Sequence, residues 1–268
     1  MGDQRARAVS TAVRDVRTKA SFRLASDGAR SAARLSQLRG TGVGRRCFVI
    51  GNGPSLNRLD LSALKGEVTF GLNRGYLLSE RMGTAPTYLV SVNPLVIEQY
   101  VGEMLVCESL KVLSWDARLP KGRSGVDTIY LRTRTRPGFY RDIASDGVWE
   151  GATVTYVALQ LAFYLGFDEV ILIGVDHFFA TPGPPNELVV SDAPDPNHFD
   201  PTYFGPGARW NLPDLATSEV AYTMARRAYE SAGRQIINAT AGGALEVFER
   251  RSYESLFGAS HDRQGRDG

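Results

Sequence analysis

CFVIGNGPSL, residues 47–56, is the stretch whose reading decides the fold. Four apolar residues, Cys47 to Ile50, run into Gly51-Asn52-Gly53-Pro54-Ser55. That order predicts a buried strand, a tight turn and a helix start. Gly51 and Gly53 let the backbone turn sharply and approach a ligand closely. Pro54 suits the first position of a helix, where its missing N–H is no loss. The free N–H groups of that helix would face an anion, which puts a phosphate-facing loop at the carboxyl end of a parallel strand. The loop lacks the Gly-Lys-Ser/Thr of a P-loop. Leu56 stands where a dinucleotide fingerprint needs its third glycine, and the next strand ends in Asn73 rather than Asp or Glu. A tight strand-to-helix turn with no ligand accounts for the same residues.

Outward from this loop the chain alternates strands and helices. Residues 56–64 read as a short helix or turn, 67–72 as a strand, 76–82 as helical and 87–92 as a strand. Residues 95–105 read as a helix, and 110–114 and 128–131 as short strands. Residues 132–147 read as a polar, basic loop. Residues 153–165 form the strongest helical pattern, closed by Gly166, and 170–175 a fully apolar strand. A long loop rich in Pro, Asn and Asp spans 178–213, a length that marks a lid, a binding loop or disorder. A helix over 219–233, a strand over 235–238 and a tail over 245–257 complete the pattern. Continuous apolar strands between helices predict an α/β, Rossmann-like, doubly wound and mainly parallel sheet with helices on both faces. The expected divisions are a basic helical extension (1–44), a nucleotide-binding domain (45–257) and a disordered tail (258–268).

The net charge of +2 conceals an asymmetry. Residues 1–46 carry eleven Lys and Arg against three acids, a net of +8, so the remainder is −6. The basic charge belongs to the N-terminus, and no nucleic-acid partner is expected. Within residues 1–39, Val9, Ala12, Val13, Val16, Ala20 and Leu24 share one helical stripe. Such a helix lies on an anionic membrane surface or packs on the body as a solvated extension. The small size of Val and Ala favours packing. Two cysteines, Cys47 and Cys107, imply neither a disulfide framework nor a zinc site. With no apolar run of membrane-spanning length and no signal-like stretch, the expected location is cytoplasmic, with peripheral membrane contact through 1–40 the alternative.

Several residues are placed for chemistry. Asn52, Asn73 and Asn93 stand at or just past strand ends, where ligands of open α/β sheets bind. Asn both donates and accepts, which suits a ribose or a base, although it is also a good turn former. Thr153 or Thr155 can cap the strongest helix, whose N-terminus can hold a phosphate. Asp176 follows a buried strand and is a candidate to bind a metal, orient a hydroxyl or cap a turn; His177 beside it is a candidate base. His198 in the long loop is a candidate general base, since an imidazole titrates near neutrality. Tyr203 and Arg209 are candidates to hold a leaving phosphate.

Together GNGPSL (51–56), FGLN (70–73), SVNP (91–94), TVTYVALQLAFYLGF (153–167), IGVDHFF (173–179) and NHFDPTYFG (197–205) resemble the DUF115 (MptE-like) family, named for 6-hydroxymethylpterin diphosphokinases. The same order of features is similar to bacterial CMP-sialic acid sialyltransferases and to flagellin-modifying motility accessory factors. The resemblance covers about residues 45–257. By likeness to the sialyltransferases, Asn52, Gly53, Ser55, Asn73 and Asn93 would hold CMP, His198 would be the general base and Tyr203 would assist the departing phosphate. The helix-start motif follows the DUF115 form rather than the sialyltransferases' Ser-Gly. Likeness to the pterin kinases would instead imply ATP and Mg²⁺, with Asp176 a ligand.

Three functions are therefore expected in order. The first is a glycosyltransferase that moves a CMP-activated acidic sugar, of the sialic acid or Kdo type, to a cell-envelope glycan. Its site would comprise His198, Tyr203 and Arg209, with Gly51, Asn52, Gly53, Ser55, Asn73, Asn93, Thr153, Thr155 and Asp176 on the donor. It needs no metal in principle, since one phosphate leaves, and the chain carries no DxD motif. The second is an ATP-dependent pterin diphosphokinase, and the third a non-catalytic nucleotide-binding module.

Overall fold

The structure, a computed structural model, describes residues 2–117, 125 and 127–258, with side chains from residue 13 onward. In chain order the elements are α1 (Gly2–Leu24), α2 (Ser26–Leu38), β1 (Arg46–Ile50), β2 (Thr69–Leu72), α3 (Ser79–Met82), β3 (Tyr88–Ser91), α4 (Pro94–Val106), β4 (Leu110–Ser114) and β5 (Thr128–Leu131). Then come β6 (Thr133–Arg134), α5 (Ile143–Asp146), β7 (Val148–Trp149), α6 (Val154–Leu165), β8 (Glu169–Ile173), β9 (Leu188–Val190), β10 (Arg209–Asn211), α7 (Leu215–Glu230), β11 (Gln235–Asn238) and β12 (Glu249–Arg250). Eight strands build one sheet in the order β12-β11-β8-β1-β2-β3-β4-β5, every neighbouring pair parallel.

β1 sits at the centre because its side chains bury on both faces. Cys47 and Val49 join one apolar cluster with α6 and α7, whereas Phe48 and Ile50 join the opposite cluster with α4. β8 splits the same way, with Val170 and Leu172 on one side and Ile171 and Ile173 on the other. This period of two across a covered sheet makes the fold a doubly wound, Rossmann-like α/β sheet. From β1 the chain steps outward through β2 to β5, then returns to β8 on the other side of β1. The carboxyl ends of β1 and β8 therefore flank the switch point, where open sheets of this kind leave a crevice.

Four expectations are corrected. The predicted helix start at Pro54 is only a short 3-10 turn, Pro54–Arg58. The long loop carries an antiparallel ribbon of β9 and β10, and it buries Phe199, Tyr203, Phe204 and Trp210. Those aromatics are its anchor, so it is a packed strap. α7 begins at Leu215 rather than 219, because the Asp214 carboxylate accepts from the N–H (2.9 Å) and hydroxyl (2.8 Å) of Thr217 and caps it. The N-terminal stripe does not pack: Val13, Val16 and Leu24 are 51, 67 and 88 % exposed. Val9 and Ala12 lie outside the described side chains. Phe22 supplies the contact instead, its ring edge-on to Trp115 at 5.1 Å. One buried Phe is worth about 2–3 kcal/mol, more than any small residue of the stripe, so it sets the helix's rotation.

α2 belongs to the body. Leu35 is buried in the core, and Ser31 Oγ accepts from the Tyr130 N–H at 2.9 Å, occupying a donor on edge strand β5. Apart from Gly258, the expected tail lies outside the described residues. Among the described residues no helix is long and apolar enough to cross a membrane.

Candidate functional site

A cleft of ≈ 250 Å³ opens at the carboxyl ends of β1, β2 and β8. The four described non-glycine residues with positive φ, Asn73 (51°), Ala152 (60°), His177 (53°) and Asn186 (66°), all line it. A left-handed conformation costs Ala or His roughly 1–2 kcal/mol, and strain of this kind gathers at ligand sites.

The GNG loop forms the floor. The Gly51 N–H donates to Ile173 O (2.8 Å) and the Gly53 N–H to Gly174 O (2.9 Å), so the loop continues the pairing of β1 with β8. A Cβ on Gly53 would overlap the Asp176 carboxylate, and one on Gly51 would overlap Gly174 O. The two glycines are thus required by close chain packing, and their N–H groups are not offered to a ligand. Nor is that of Ser55. Its N–H donates to Asp176 Oδ2 (3.0 Å) and its hydroxyl to Asp176 Oδ1. Asp176 caps the Pro54 turn, the third of its expected roles. This corrects the expectation of an anion facing that turn.

Asn52 ties three segments together. Its Nδ2 donates to Leu72 O (3.1 Å), its carbonyl accepts from the Phe199 N–H (2.8 Å), and its buried Oδ1 has no partner among the described residues. Asn73 accepts from the Ser91 hydroxyl through Oδ1 (3.0 Å), while its Nδ2 has no described partner. Asn93 is not in the cleft. Its Oδ1 accepts from the Leu95 N–H (2.9 Å) and caps α4, the turn-forming role of Asn.

The helix N-terminus that lines the cleft is that of α6. Thr153, Val154 and Thr155 line the cleft, and Thr153 Oγ1 caps the helix by accepting from the Thr155 N–H (3.3 Å). The Tyr156 N–H goes to Thr153 O (3.1 Å), so the Val154 N–H, with no partner among the described residues, and the helix dipole are what favour a negative ligand. Across the cleft stands His198, held on three sides. Its Nδ1 is 2.7 Å from Asp195 Oδ2, its ring stacks on Tyr203 with centroids 4.0 Å apart, and the Phe204 ring meets it edge-on at 5.1 Å. The Asp195 side chain is 3 % exposed, and its other oxygen accepts from the Asn197 N–H (2.8 Å). A carboxylate can only accept, so Nδ1 is the nitrogen that donates to Asp195, and in the neutral imidazole the lone pair then sits on Nε2. His177, half-buried on the opposite wall, has its pKa pushed down by burial, against an upward pull from Glu219.

Two expected residues take other roles. Tyr203 is fully buried, its hydroxyl accepts from the Arg74 N–H (3.2 Å), and burial pushes its pKa up. It is the shelf beneath His198 and offers no hydroxyl to the cleft. Arg209 is exposed, pairs with Glu98 (3.1 Å) and is not among the cleft residues. No family model, curated protein or solved structure matches this chain. The chemistry of the cleft is therefore carried by its own geometry.

Asp195 and Arg74 are the residues whose roles sequence reasoning missed. Asp195 stands three residues before His198 in a turn, a spacing that brings the two side chains together. Arg74 directly follows Asn73, and its guanidinium donates to Thr202 O (3.1 Å), to Tyr203 O and to Glu103 (3.0 Å) while lying 4.0 Å from the Tyr100 ring centroid. It pins the strap that carries His198 to the end of β2. Nothing in local sequence announces a contact across 129 residues. Among the described residues no group of three or more His, Cys, Asp or Glu is placed to hold a metal. The two carboxylates lining the cleft, Asp176 and Asp214, are each engaged through both oxygens.

Proposed function

We propose that the chain is a glycosyltransferase whose donor is a CMP-activated acidic sugar and whose acceptor is a hydroxyl of a cell-envelope glycan. The observation that carries this is the Asp195–His198 pair at the wall of a cleft floored by strand-end asparagines. His198 Nε2 takes the proton of the acceptor hydroxyl as its oxygen attacks the anomeric carbon. The bond from that carbon to the phosphate oxygen breaks, and CMP leaves with the electron pair. The first turn of α6 stabilises the charge gathering on the phosphate. Asn73 Nδ2 is a free donor for the nucleoside. Tyr203 and Arg209 play no direct part in this scheme.

Pyrophosphoryl transfer from ATP is less well served by the same cleft. It requires cations around the phosphates, and no described Lys or Arg lines the cleft. Its Mg²⁺ would share Asp176 with the Ser55 N–H and hydroxyl, which already bond one to each oxygen.

The test is release of CMP from CMP-N-acetylneuraminate and CMP-Kdo, with and without a glycan acceptor. Wild-type protein is expected to release CMP, and His198→Ala to lose roughly 10²–10⁴-fold in rate while still binding CMP. Equal rates for both proteins, or no release from either donor, would overturn the proposal. Binding of CMP without turnover by either protein would instead mark a nucleotide-binding module.

A further inference from the structure

A second cavity, ≈ 270 Å³, lies between α1, α2 and α5, away from the cleft, and its charged lining is entirely basic. Lys19 and Arg23 come from α1 and have no ion-pair partner among the described residues. Arg132 is buried and donates to Ser145 O (3.1 Å) and Asp146 O, so it is held by carbonyls and makes no ion pair with a carboxylate among the described residues. Burial, with the Arg134 and Arg23 charges, pushes its pKa down against the opposing pull of Asp15 and Asp146, which lie outside the cavity lining. Three cations gathered around one cavity favour an anion in it.

The face of α1 beside this cavity points the same way. At 100° per residue, Phe22 faces the body, Lys19 and Arg23 follow at the rim, and Val16, Ala20, Val13 and Leu24 form the outward stripe. That stripe is exposed, Leu24 at 88 %. Arg17 borders it on the far side. An outward apolar stripe edged by cations complements an anionic lipid surface, which accepts apolar side chains and attracts basic ones.

We propose that α1 seats the protein on an anionic phospholipid surface, with a headgroup phosphate entering the Lys19–Arg23–Arg132 cavity and Val16, Ala20 and Leu24 entering the acyl boundary. The occupant is a bilayer lipid rather than a soluble phosphate, because only a bilayer also covers the stripe. This seat is independent of the cleft's chemistry.

The test is co-sedimentation of the full chain with phosphatidylcholine vesicles, alone or containing about one-third phosphatidylglycerol. Wild-type protein is expected to bind the anionic vesicles and to leave the neutral ones in solution. Lys19→Gln/Arg23→Gln is expected to weaken binding roughly thirtyfold, at about 1 kcal/mol per cation removed from the surface. Val16→Asp/Leu24→Asp, at exposed positions, is expected to weaken it without lowering the melting temperature. Equal binding to both vesicle types, or unchanged binding by either variant, would overturn the proposal. So would inorganic phosphate that raises the melting temperature of wild type but not of Lys19→Gln/Arg23→Gln, with no vesicle binding.

Discussion

Replacing Glu150 by Gln isolates one electrostatic consequence of how the chain packs at the mouth of the sheet. Glu150 lies between β7 and α6, and its backbone carbonyl accepts from the Thr153 N–H at 3.1 Å. Burial, and secondarily the charge of Asp116, push its carboxyl from 4.5 up to about 7, while Arg14 opposes the shift. A folded pKa above the unfolded one means that folding favours the protonated acid. The stabilisation from that proton is complete below pH 4.5, shrinks as the pH rises, and is gone above about 7. There the native state carries a partly buried carboxylate at a cost of about 2–3 kcal/mol. Gln keeps the shape and cannot ionise. Urea unfolding at pH 5 and pH 8 supplies the assay. The stability of Glu150→Gln relative to wild type is expected to improve by about 2 kcal/mol between the two, since at pH 5 the unfolded chain is already partly ionised. Comparing two pH values cancels any difference in hydrogen bonding between Glu and Gln. A constant offset at both pH values would refute the reasoning and show Glu150 to be solvated.

Three further outcomes are expected. Asp195→Asn leaves the fold in place but presents an amide to Nδ1, moving the proton to Nε2; CMP release should fall about 10²–10⁴-fold with CMP affinity unchanged, and an unchanged rate would remove Asp195 from the mechanism. Gly53→Ala forces a Cβ into the Asp176 carboxylate; thermal unfolding should show about 1–3 kcal/mol of destabilisation and weaker nucleotide binding, and a neutral effect would contradict the packing role given to this glycine. Arg74→Met strands the carbonyls of Thr202 and Tyr203, while Glu103, half exposed, keeps its bond from the Tyr76 hydroxyl; a loss of about 2 kcal/mol is expected, with faster hydrogen exchange confined to the strap around His198, whereas protection equal to wild type would show the strap to be held elsewhere.

Much of the sheet was legible because its strands are short unbroken apolar runs. A strand buried on both faces leaves nothing for polar residues to do, so Cys47 to Ile50 and Val170 to Ile173 announce themselves. α6 was equally plain, with a threonine before it and Gly166 after it. The register of the N-terminal helix was not, since a stripe of Val and Ala carries less weight than one Phe that finds a partner in Trp115. The role of Asp176 was open because a carboxylate after a strand reads alike whether it meets a metal or the N–H of Ser55. The strap misled for a related reason. Its Pro, Asn and Asp are turn formers, while its aromatics bury against segments far away in the chain. At the site, His198, Asn52, Asn73 and Thr153 were within reach of sequence reasoning, as each sits beside a recognisable strand end, helix start or loop. Arg209 and Asn93 were misplaced because an exposed arginine and a helix-capping asparagine look the same in sequence as ligand-binding ones.

The central claim, that this cleft holds the CMP portion of an activated sugar, is tested most directly by isothermal titration of the full chain with CMP in the presence of a chelator. The prediction is saturable binding at one site that needs no divalent cation and weakens at least tenfold in Asn73→Ala. Absence of CMP binding, together with binding of ATP only when Mg²⁺ is supplied, would contradict it.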